Sequence, residues 1–263
     1  PKAEEELSLE VEEEIAAELE KEKLSFSKKF DSVRIATLFD NKSLEENLKP
    51  GWGLALLIMA DELNILFDTG NDPAVLLSNM SALNITTKQL TSVFISHNHK
   101  DHTSGLSVIL TERPDLRIFA VENSGLEKDF PVATIQKISK PEEIYAGMYA
   151  VPFKNSQPAE QVLVINTSNG LIIVTGCAHP GIEEIVTRVE SLFNEEIYLV
   201  IGGFHLMNKT DAEIEKIIGI FRRANVQKVS PMHCTGERAI LLFEEAFGEN
   251  FIENGVGKLI LVE

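Results

Sequence analysis

Residues 96–105 read SHNHKDHTSG and place three histidines and one aspartate within six consecutive positions. The chain has only six histidines, so half of them lie in this stretch. If these side chains had gathered by chance in a buried loop, each unpaired imidazole or carboxylate would cost several kcal/mol. Imidazole and carboxylate groups are the usual ligands of zinc, iron and manganese in proteins. The stretch therefore predicts a metal site.

The spacing within this stretch predicts two neighbouring metal positions. Alternate residues of an extended segment point to the same side, so His97 and His99 can reach one ion. Asp101 and His102 can reach a second ion as the chain turns, through TSG, into the helical stretch GLSVILTE.

Composition excludes several classes of protein. With 263 residues, 44% of them hydrophobic, the chain can form one large domain, alone or with an appendage. A net charge of -17 disfavours binding to nucleic acids and to anionic membranes. Two cysteines, Cys177 and Cys234, cannot form a disulfide framework, and no signal peptide or apolar run of about 20 residues is visible. We therefore predict a cytoplasmic protein that binds neither nucleic acids nor membranes.

The N-terminal residues differ from the rest. Residues 1–24 contain ten glutamates and three lysines, a net charge of -7. Val11, Ile15 and Leu19 recur every four residues, which indicates one narrow apolar stripe on a helix. This pattern predicts an acidic helical extension over residues 1–28 and a separate domain over residues 29–263. The extension is either a solvated helix docked on the domain or a helix that binds a partner or a second copy of the chain.

After residue 32, short apolar runs alternate with amphipathic stretches. Runs such as VRIATLF (33–39), LALLIMA (54–60) and SVFIS (92–96) are rich in β-branched or aromatic residues, which is typical of buried strands. GIEEIVTRVESLF, DAEIEKIIGIFRR and GERAILLFEEAF have helical periodicity. This alternation predicts a single α/β domain.

Histidines follow the ends of four predicted strands. If these strands shared one sheet and ran in the same direction, their carboxyl ends would meet at one edge, where functional sites are commonly built. The histidines that follow SVFIS, GLIIVTGCA, IYLVIGGF and KVSPM are His97, His179, His205 and His233.

The sequence resembles the metallo-β-lactamase superfamily. HNHKDH matches the HxHxDH signature of that superfamily and is preceded by ILFDTG (65–70), as in its N-terminal half. TGCAHPGI (175–182), GGFHL (202–206) and PMHCTG (231–236) are similar to a subgroup of metal-dependent hydrolases that includes dihydropterin-ribofuranosylaminobenzene phosphate synthases. The resemblance covers residues 33–263. It implies an αββα sandwich of two mixed sheets flanked by helices, with one or two divalent metal ions at one edge, of which zinc is expected and manganese or iron are alternatives.

The resemblance also implies a ligand set. Members of the superfamily usually have a separate histidine before a strand and a metal-bridging aspartate at its end. This chain has no histidine between residues 102 and 179, and Cys177 stands where that aspartate is expected. Cys177 is therefore a thiolate ligand, a neighbour of the ligands or simply a small buried residue. The implied ligands are His97, His99 and His179 for the first metal, and Asp101 and His102 for the second. His233 resembles the last metal-binding histidine in the sequence of the superfamily.

Two further residues are candidates for the reaction. By its position in the sequence, His205 resembles the histidine that donates a proton or binds phosphate in phosphodiesterase members of the superfamily. It follows two glycines, which permit close approach of the backbone to a ligand. Asp68 is expected either to orient a ligand histidine or to cap the next turn.

These features predict a hydrolase that uses a metal-bound hydroxide on a small, phosphate-containing anion, with Asp101 and His205 as catalytic residues. The first alternative is a transferase, like the pterin synthases, in which the metals hold a pyrophosphate leaving group. The second alternative is a metal-binding protein without catalytic activity.

Overall fold

Two mixed β-sheets form the centre of the fold in a computed structural model, which describes residues 23–263. The first sheet has seven strands in the order β13-β1-β2-β3-β4-β5-β6. Its strands β3 to β6 are parallel, and the strands on the β13 side pair in antiparallel fashion. The strands are β1 (Val33–Phe39), β2 (Ala55–Ala60), β3 (Leu63–Phe67), β4 (Ser92–Ile95), β5 (Arg117–Val121), β6 (Thr134–Ile138) and β13 (Leu259–Val262).

The second sheet has six strands in the order β12-β11-β10-β9-β8-β7. Strands β10, β11 and β12 are parallel, whereas β7 to β10 pair in antiparallel fashion. The strands are β7 (Glu142–Tyr145), β8 (Met148–Phe153), β9 (Glu160–Thr167), β10 (Gly170–Thr175), β11 (Ile197–Gly203) and β12 (Lys228–Met232).

Seven α-helices and three 3-10 helices connect the strands within the described residues. Asp72 caps the first helix, because its carboxylate accepts the N–H groups of Ala74 and Val75. The α-helices are α1 (Pro73–Ala82), α2 (Lys100–Thr103), α3 (Leu106–Glu112), α4 (Leu126–Asp129), α5 (Ile182–Leu192), α6 (Asp211–Arg223) and α7 (Glu237–Phe247). The 3-10 helices are Thr87–Gln89, His233–Thr235 and Gly248–Asn250.

Three hydrophobic cores hold these layers together. The central core lies between the sheets and contains Phe67 and Phe94 from the first sheet with Leu163 and Ile172 from the second. An outer core packs α1 and α3 on the first sheet, and another packs α5, α6 and α7 on the second. The order of layers is therefore helix, sheet, sheet, helix, which confirms the predicted αββα sandwich.

The strands that precede the histidines belong to both sheets. His97 follows β4 of the first sheet, whereas His179, His205 and His233 follow β10, β11 and β12 of the second. The four strands therefore do not share one sheet. The site forms where the edges of two stacked sheets meet, because the central core packs the two sheets face to face.

The predicted helical extension over residues 1–28 lies mostly outside the described residues, including the stripe of Val11, Ile15 and Leu19. Its last six residues, 23–28, contain no helix. There Phe26 stacks on Phe193 with ring centroids 4.6 Å apart. No helix within residues 23–263 is long and apolar enough to cross a membrane.

Candidate metal centre

One group of ligand atoms lies between the end of β4 and the end of β10. Potential ligand atoms of His97, Cys177 and His179 lie within 4.8 Å of one another. His99 lies beside this group, with its Nδ1 atom 3.2 Å from Nε2 of His97. We call these four residues the first position.

A second group lies beside the first. Potential ligand atoms of Asp101, His102, Cys177 and His233 also lie within 4.8 Å of one another. Asp101 Oδ2 is 3.6 Å from His102 Nε2 and 3.3 Å from His233 Nε2. The Cys177 thiol belongs to both groups and lies 3.2 Å from His102 Nε2. We call these four residues the second position; the structure thus brings together all six histidine and aspartate residues that the sequence predicts as ligands.

Buried acceptors fix the ring orientation of two of the three histidines of the HNHKDH loop, His97 and His102. Asp68 is fully buried, and its Oδ2 atom lies 2.7 Å from His102 Nδ1. The Ser96 hydroxyl donates a hydrogen bond to Asp68, so its oxygen can accept a hydrogen bond from His97 Nδ1, 2.9 Å away. Both rings therefore carry their proton on Nδ1 and turn an unprotonated Nε2 towards the centre. Asp68 thus contacts a predicted ligand histidine, as the first of the two alternatives for this residue requires.

Glu160 fixes the ring orientation of His179. It is the first residue of β9 and is fully buried, with Oε2 2.8 Å from His179 Nδ1. Its two oxygens also accept the backbone N–H groups of Cys177, Ala178 and His179 at 2.8–2.9 Å. One carboxylate therefore holds the whole Cys177–His179 loop in place.

An amide fixes His233. Asn41 donates from Nδ2 to the His233 carbonyl and accepts the Gly53 N–H on Oδ1. These two bonds set the orientation of the amide, so the acceptor Oδ1 faces His233 Nδ1 at 3.1 Å. The proton of the neutral ring then lies on Nδ1, and Nε2 is free.

The free nitrogens meet acceptors rather than donors, which favours a cation at the centre. His233 Nε2 is buried and has no hydrogen-bond partner among the described residues, although Asp101 Oδ2 is close to it. His102 Nε2 faces a carboxylate oxygen and a sulfur. Divalent metal ions satisfy such a set of lone pairs, and imidazole, carboxylate and thiolate are all ligands of zinc. The residues present fit the one or two divalent ions that the fold implies.

Burial controls the protonation of this centre. It lowers the pKa of His102 to about 3 and takes that of His97 well below its usual value. Burial also raises the pKa of Asp68 to about 7. For Asp101 burial alone would raise the pKa, but contact with His233 and the charge of His102 outweigh it and lower the pKa. His97 and His102 are therefore neutral and Asp101 is ionised, which is the form that binds metal, whereas contact with Asp101 outweighs burial and raises the pKa of His233.

His205 is exposed and lies at the side of the first position. Its ring centroid is 4.6 Å from that of His179. One of its nitrogens lies within 4.8 Å of the sulfurs of Cys177 and Cys234, and the hydrogen bond with Cys234 raises the pKa of His205. A Cβ atom at Gly203 would lie 2.7 Å from Cys234 Sγ. The absence of a side chain at Gly203 therefore makes room for Cys234 and the backbone of Gly176, and not for a ligand as the sequence suggested.

The backbone is strained at several residues of the site. Asp68, Ala178, His205 and His233 have positive φ angles of 54, 63, 54 and 53 degrees. The left-handed region is uncommon for residues other than glycine and concentrates at functional sites. The strain therefore supports a functional role for these loops.

Three residues of this site were not predicted from the sequence. Ser96 directly precedes His97, and Asn41 follows the end of β1 just as the histidines follow their strands, so both had a positional signal. Glu160 had a weaker one, an ionisable residue at the start of a wholly buried strand.

Comparisons with known proteins agree with this geometry. A sequence model of the family described as anti-Pycsar protein Apyc1 matches residues 49–114. The 7,8-dihydropterin-6-methyl-4-(beta-D-ribofuranosyl)-aminobenzene-5'-phosphate synthase of Methanocaldococcus jannaschii is 30% identical, over 88% of this chain and 97% of that protein.

Solved structures support the same assignment. Tm1679, described as a metal-dependent hydrolase of the beta-lactamase superfamily, has a TM-score of 0.75 and 29% identity over 87% of this chain and 98% of its own. YhfI from Bacillus subtilis, a metallo-beta-lactamase fold protein, has a TM-score of 0.66 and 14% identity over 88% of this chain and 100% of its own, and so shares the fold. The chain is an enzyme of the metallo-β-lactamase superfamily and belongs to the family of the methanogen synthase.

Proposed function

We propose that the protein is a metal-dependent hydrolase of a small, phosphate-containing anion. The observation that carries the proposal is the pair of ligand groups that share Cys177, because two adjacent cations suit the cleavage of phosphate esters and anhydrides. His97, His99 and His179 would hold one ion, Asp101, His102 and His233 the other, and Cys177 would contact both. Zinc is the expected metal. When bound, such ions lower the pKa of a coordinated water and stabilise negative charge on a leaving oxygen.

The chain's own residues supply the remaining steps. Asp101 is half-buried and ionised, so it can accept a hydrogen bond from the attacking water and orient it. His205 stands at the mouth of the site and donates a proton to the leaving oxygen. These two residues are the proposed catalytic residues.

Local positive charge supports an anionic substrate despite the net charge of -17. A cavity of about 590 Å³ opens beside His179 and is lined by Lys154 and Arg188, with Glu184 also on its wall. Lys154 is paired with Glu122 at 3.5 Å, so Arg188 is the main positive charge that can receive a phosphate group there.

The second candidate is a transferase that acts like the methanogen synthase, and its support is the 30% identity over 97% of that relative. In this reaction the amino nitrogen of the aryl acceptor would attack the methylene carbon of the pterin as the bond from that carbon to the pyrophosphate oxygen breaks. The ligand residues would hold the metal ions that bind the departing pyrophosphate. Location in the cytoplasm, and oligomerisation through residues 1–28, remain proposals beside both candidates.

Metal analysis combined with a substrate screen tests both candidates. Purified protein is analysed for bound metals and assayed with phosphodiester, pterin pyrophosphate, lactone and thioester substrates. We expect bound zinc, and turnover of a phosphodiester or pyrophosphate that a chelator abolishes and added zinc restores. Consumption of pterin pyrophosphate only in the presence of an aryl acceptor would establish the transferase instead. Turnover confined to lactones or thioesters, or a protein without metal, would refute the proposal.

A further inference from the structure

The only two cysteines of the chain meet beside the metal centre. Cys177 follows β10 and Cys234 follows β12, and these two strands lie on either side of β11 in the second sheet. Neighbouring strands are roughly 5 Å apart, so segments that leave β10 and β12 are expected roughly 10 Å apart. The two sulfur atoms instead lie within 4.8 Å of each other, and both thiols are free. The two loops therefore converge over the end of β11.

Gly203, the last residue of β11, lets the two cysteines approach each other. A Cβ atom at this position would lie 2.7 Å from Cys234 Sγ and 3.3 Å from Cys177 Cα. Because glycine has no side chain, the Cys234 thiol can occupy this space and donate to the carbonyl oxygen of Cys177, 3.5 Å away. The backbone thus places the two thiols side by side.

The two thiols differ in their relation to the metal positions. Cys177 belongs to the ligand groups of both positions, whereas Cys234 belongs to a third group, with Cys177 and His205. Thiolate is a ligand of zinc, but a sulfur that is bonded to another sulfur has no thiolate to offer. The structure therefore places a second thiol within reach of the one thiol that both positions share.

A small oxidant can reach the pair from the mouth of the site. Each cysteine is only 3% exposed, but one nitrogen of His205 lies within 4.8 Å of both sulfurs, and the His205 side chain is exposed. Hydrogen peroxide is little larger than water, which the proposed reaction already requires at this centre. The side of the pair that faces His205 is therefore the one from which a peroxide approaches.

We propose that Cys177 and Cys234 form a reversible disulfide when a peroxide enters the site, and that this bond withdraws the shared thiol from both metal positions. One thiol reacts with hydrogen peroxide, whose O–O bond breaks, to give a sulfenic acid and water. The other sulfur then forms the S–S bond as the S–O bond breaks, and a second water leaves. The two thiols together lose two electrons and two protons, which reduce the peroxide. The effect on metal rests on the proposed function, but formation of the bond does not.

Mild oxidation of the full chain tests whether the bond forms. Protein with zinc and protein without metal are each treated with stoichiometric hydrogen peroxide and analysed by intact mass and by peptide mapping without reductant. We expect each chain to lose two hydrogens, a cross-linked peptide that contains Cys177 and Cys234, and full reversal by dithiothreitol. The chain has no other cysteine, so no other disulfide within one chain can give this result. Two free thiols after treatment, oxygen added to one thiol without a cross-link, or a disulfide between two chains would overturn the proposal.

Zinc content tests the consequence for the metal centre. Loss of a residue that only orients a ligand weakens metal binding about 10- to 100-fold, so loss of the shared thiol should weaken zinc binding at least about 10-fold. Peroxide should therefore release zinc from the wild type, and dithiothreitol should restore binding. Cross-linked protein that keeps its zinc would overturn this part of the proposal.

Two serine variants separate the cross-link from general damage. Cys234→Ser keeps Cys177 and should retain zinc under the same treatment, whereas Cys177→Ser should bind zinc more weakly before any peroxide is added. Circular dichroism of both variants shows whether they fold. Release of zinc from Cys234→Ser as readily as from the wild type would contradict the proposal. The cross-link and the zinc content are measured without any substrate, so failure of this proposal is distinct from a failure to hydrolyse phosphate esters.

Discussion

The two candidate metal positions share Cys177 but differ in charge and in exposure. The first position adds three imidazoles, of which that of His99 is exposed and that of His179 is largely buried. The second position adds the Asp101 carboxylate and two buried imidazoles. A carboxylate next to a cation in a poorly solvated site contributes strong Coulomb attraction. The second position should therefore hold its ion more firmly, and the first should exchange its ion more readily.

The positions also differ in what holds their ligands. Asp68 hydrogen-bonds to His102 of the second position, and Glu160 hydrogen-bonds to His179 of the first. Asp68 also bonds to Ser96, whose hydroxyl contacts His97, whereas the hydrogen bonds of Glu160 go to the Cys177–His179 loop. Loss of the Glu160 carboxylate should therefore affect mainly the first position. Loss of the Asp68 carboxylate should affect mainly the second position, with a smaller effect on the first through Ser96 and His97.

Asp101→Asn should produce the largest effect. The change removes the only anionic oxygen ligand of the second position, and loss of the ion would cost several kcal/mol of transition-state stabilisation, which corresponds to at least about a 1000-fold fall in turnover. His99→Ala should lower the metal content of the first position and reduce turnover less. Metal content by mass spectrometry and turnover of the substrate identified by the screen are the measurements.

Lys100→Ala is the matched control for this comparison. Lys100 precedes Asp101 on α2, but 75% of its side chain is exposed to solvent. Metal content and turnover of this variant should equal those of the wild type. If Asp101→Asn kept both ions with wild-type affinity, the difference in charge would not set the order of binding.

His205→Ala tests the exposed side of the first position. General acid catalysis contributes about 100- to 10,000-fold, so turnover should fall by about 100- to 1000-fold while both metals remain bound. The fall should shrink for a substrate whose leaving group needs no proton, and this dependence separates an acid from a structural residue. A variant that loses metal would instead identify His205 as a ligand beside Cys177 and Cys234.

Sequence patterns predicted the parts of the fold that are buried on both faces. SVFIS and IYLVIGG are continuous apolar runs, and the strands at Ser92–Ile95 and Ile197–Gly203 match them. Strands such as Thr134–Ile138 and Glu142–Tyr145 are largely half-buried or exposed, so they lack a clear pattern of burial. The division of strands between two sheets was not predictable either, since pairing depends on contacts between distant segments.

The candidate ligands could be predicted because their chemistry is rare and local. HNHKDH presents four of them within six residues. The residues that orient the ligands could not be predicted from the sequence. Glu160 bonds to groups 17 to 19 residues away, and Asp68 bonds to His102 across 34 residues. Such pairs leave no local spacing rule in the sequence. Partners of this kind become visible only when the fold places them together.

Asp68→Asn and Glu160→Gln should have the smallest effects and are the sharpest test of the two positions. At Asp68, an amide nitrogen would face His102 Nδ1 and donate to it. The proton of the ring would then lie on Nε2, where the ion is proposed to bind. At Glu160, an amide nitrogen would face backbone N–H donors or His179. Loss of such a partner weakens metal binding about 10- to 100-fold.

The two variants should differ in which ion they lose. Asp68→Asn should weaken the second position, with turnover and metal content both reduced, and Glu160→Gln should weaken the first. Stepwise titration with zinc, followed by calorimetry, resolves the two affinities, and thermal unfolding of the metal-free variants shows whether each still folds. Equal weakening of both positions in both variants would mean that the centre binds its ions as one unit. The shared Cys177 thiol would then couple the two positions, although Asp68 and Glu160 orient different histidines.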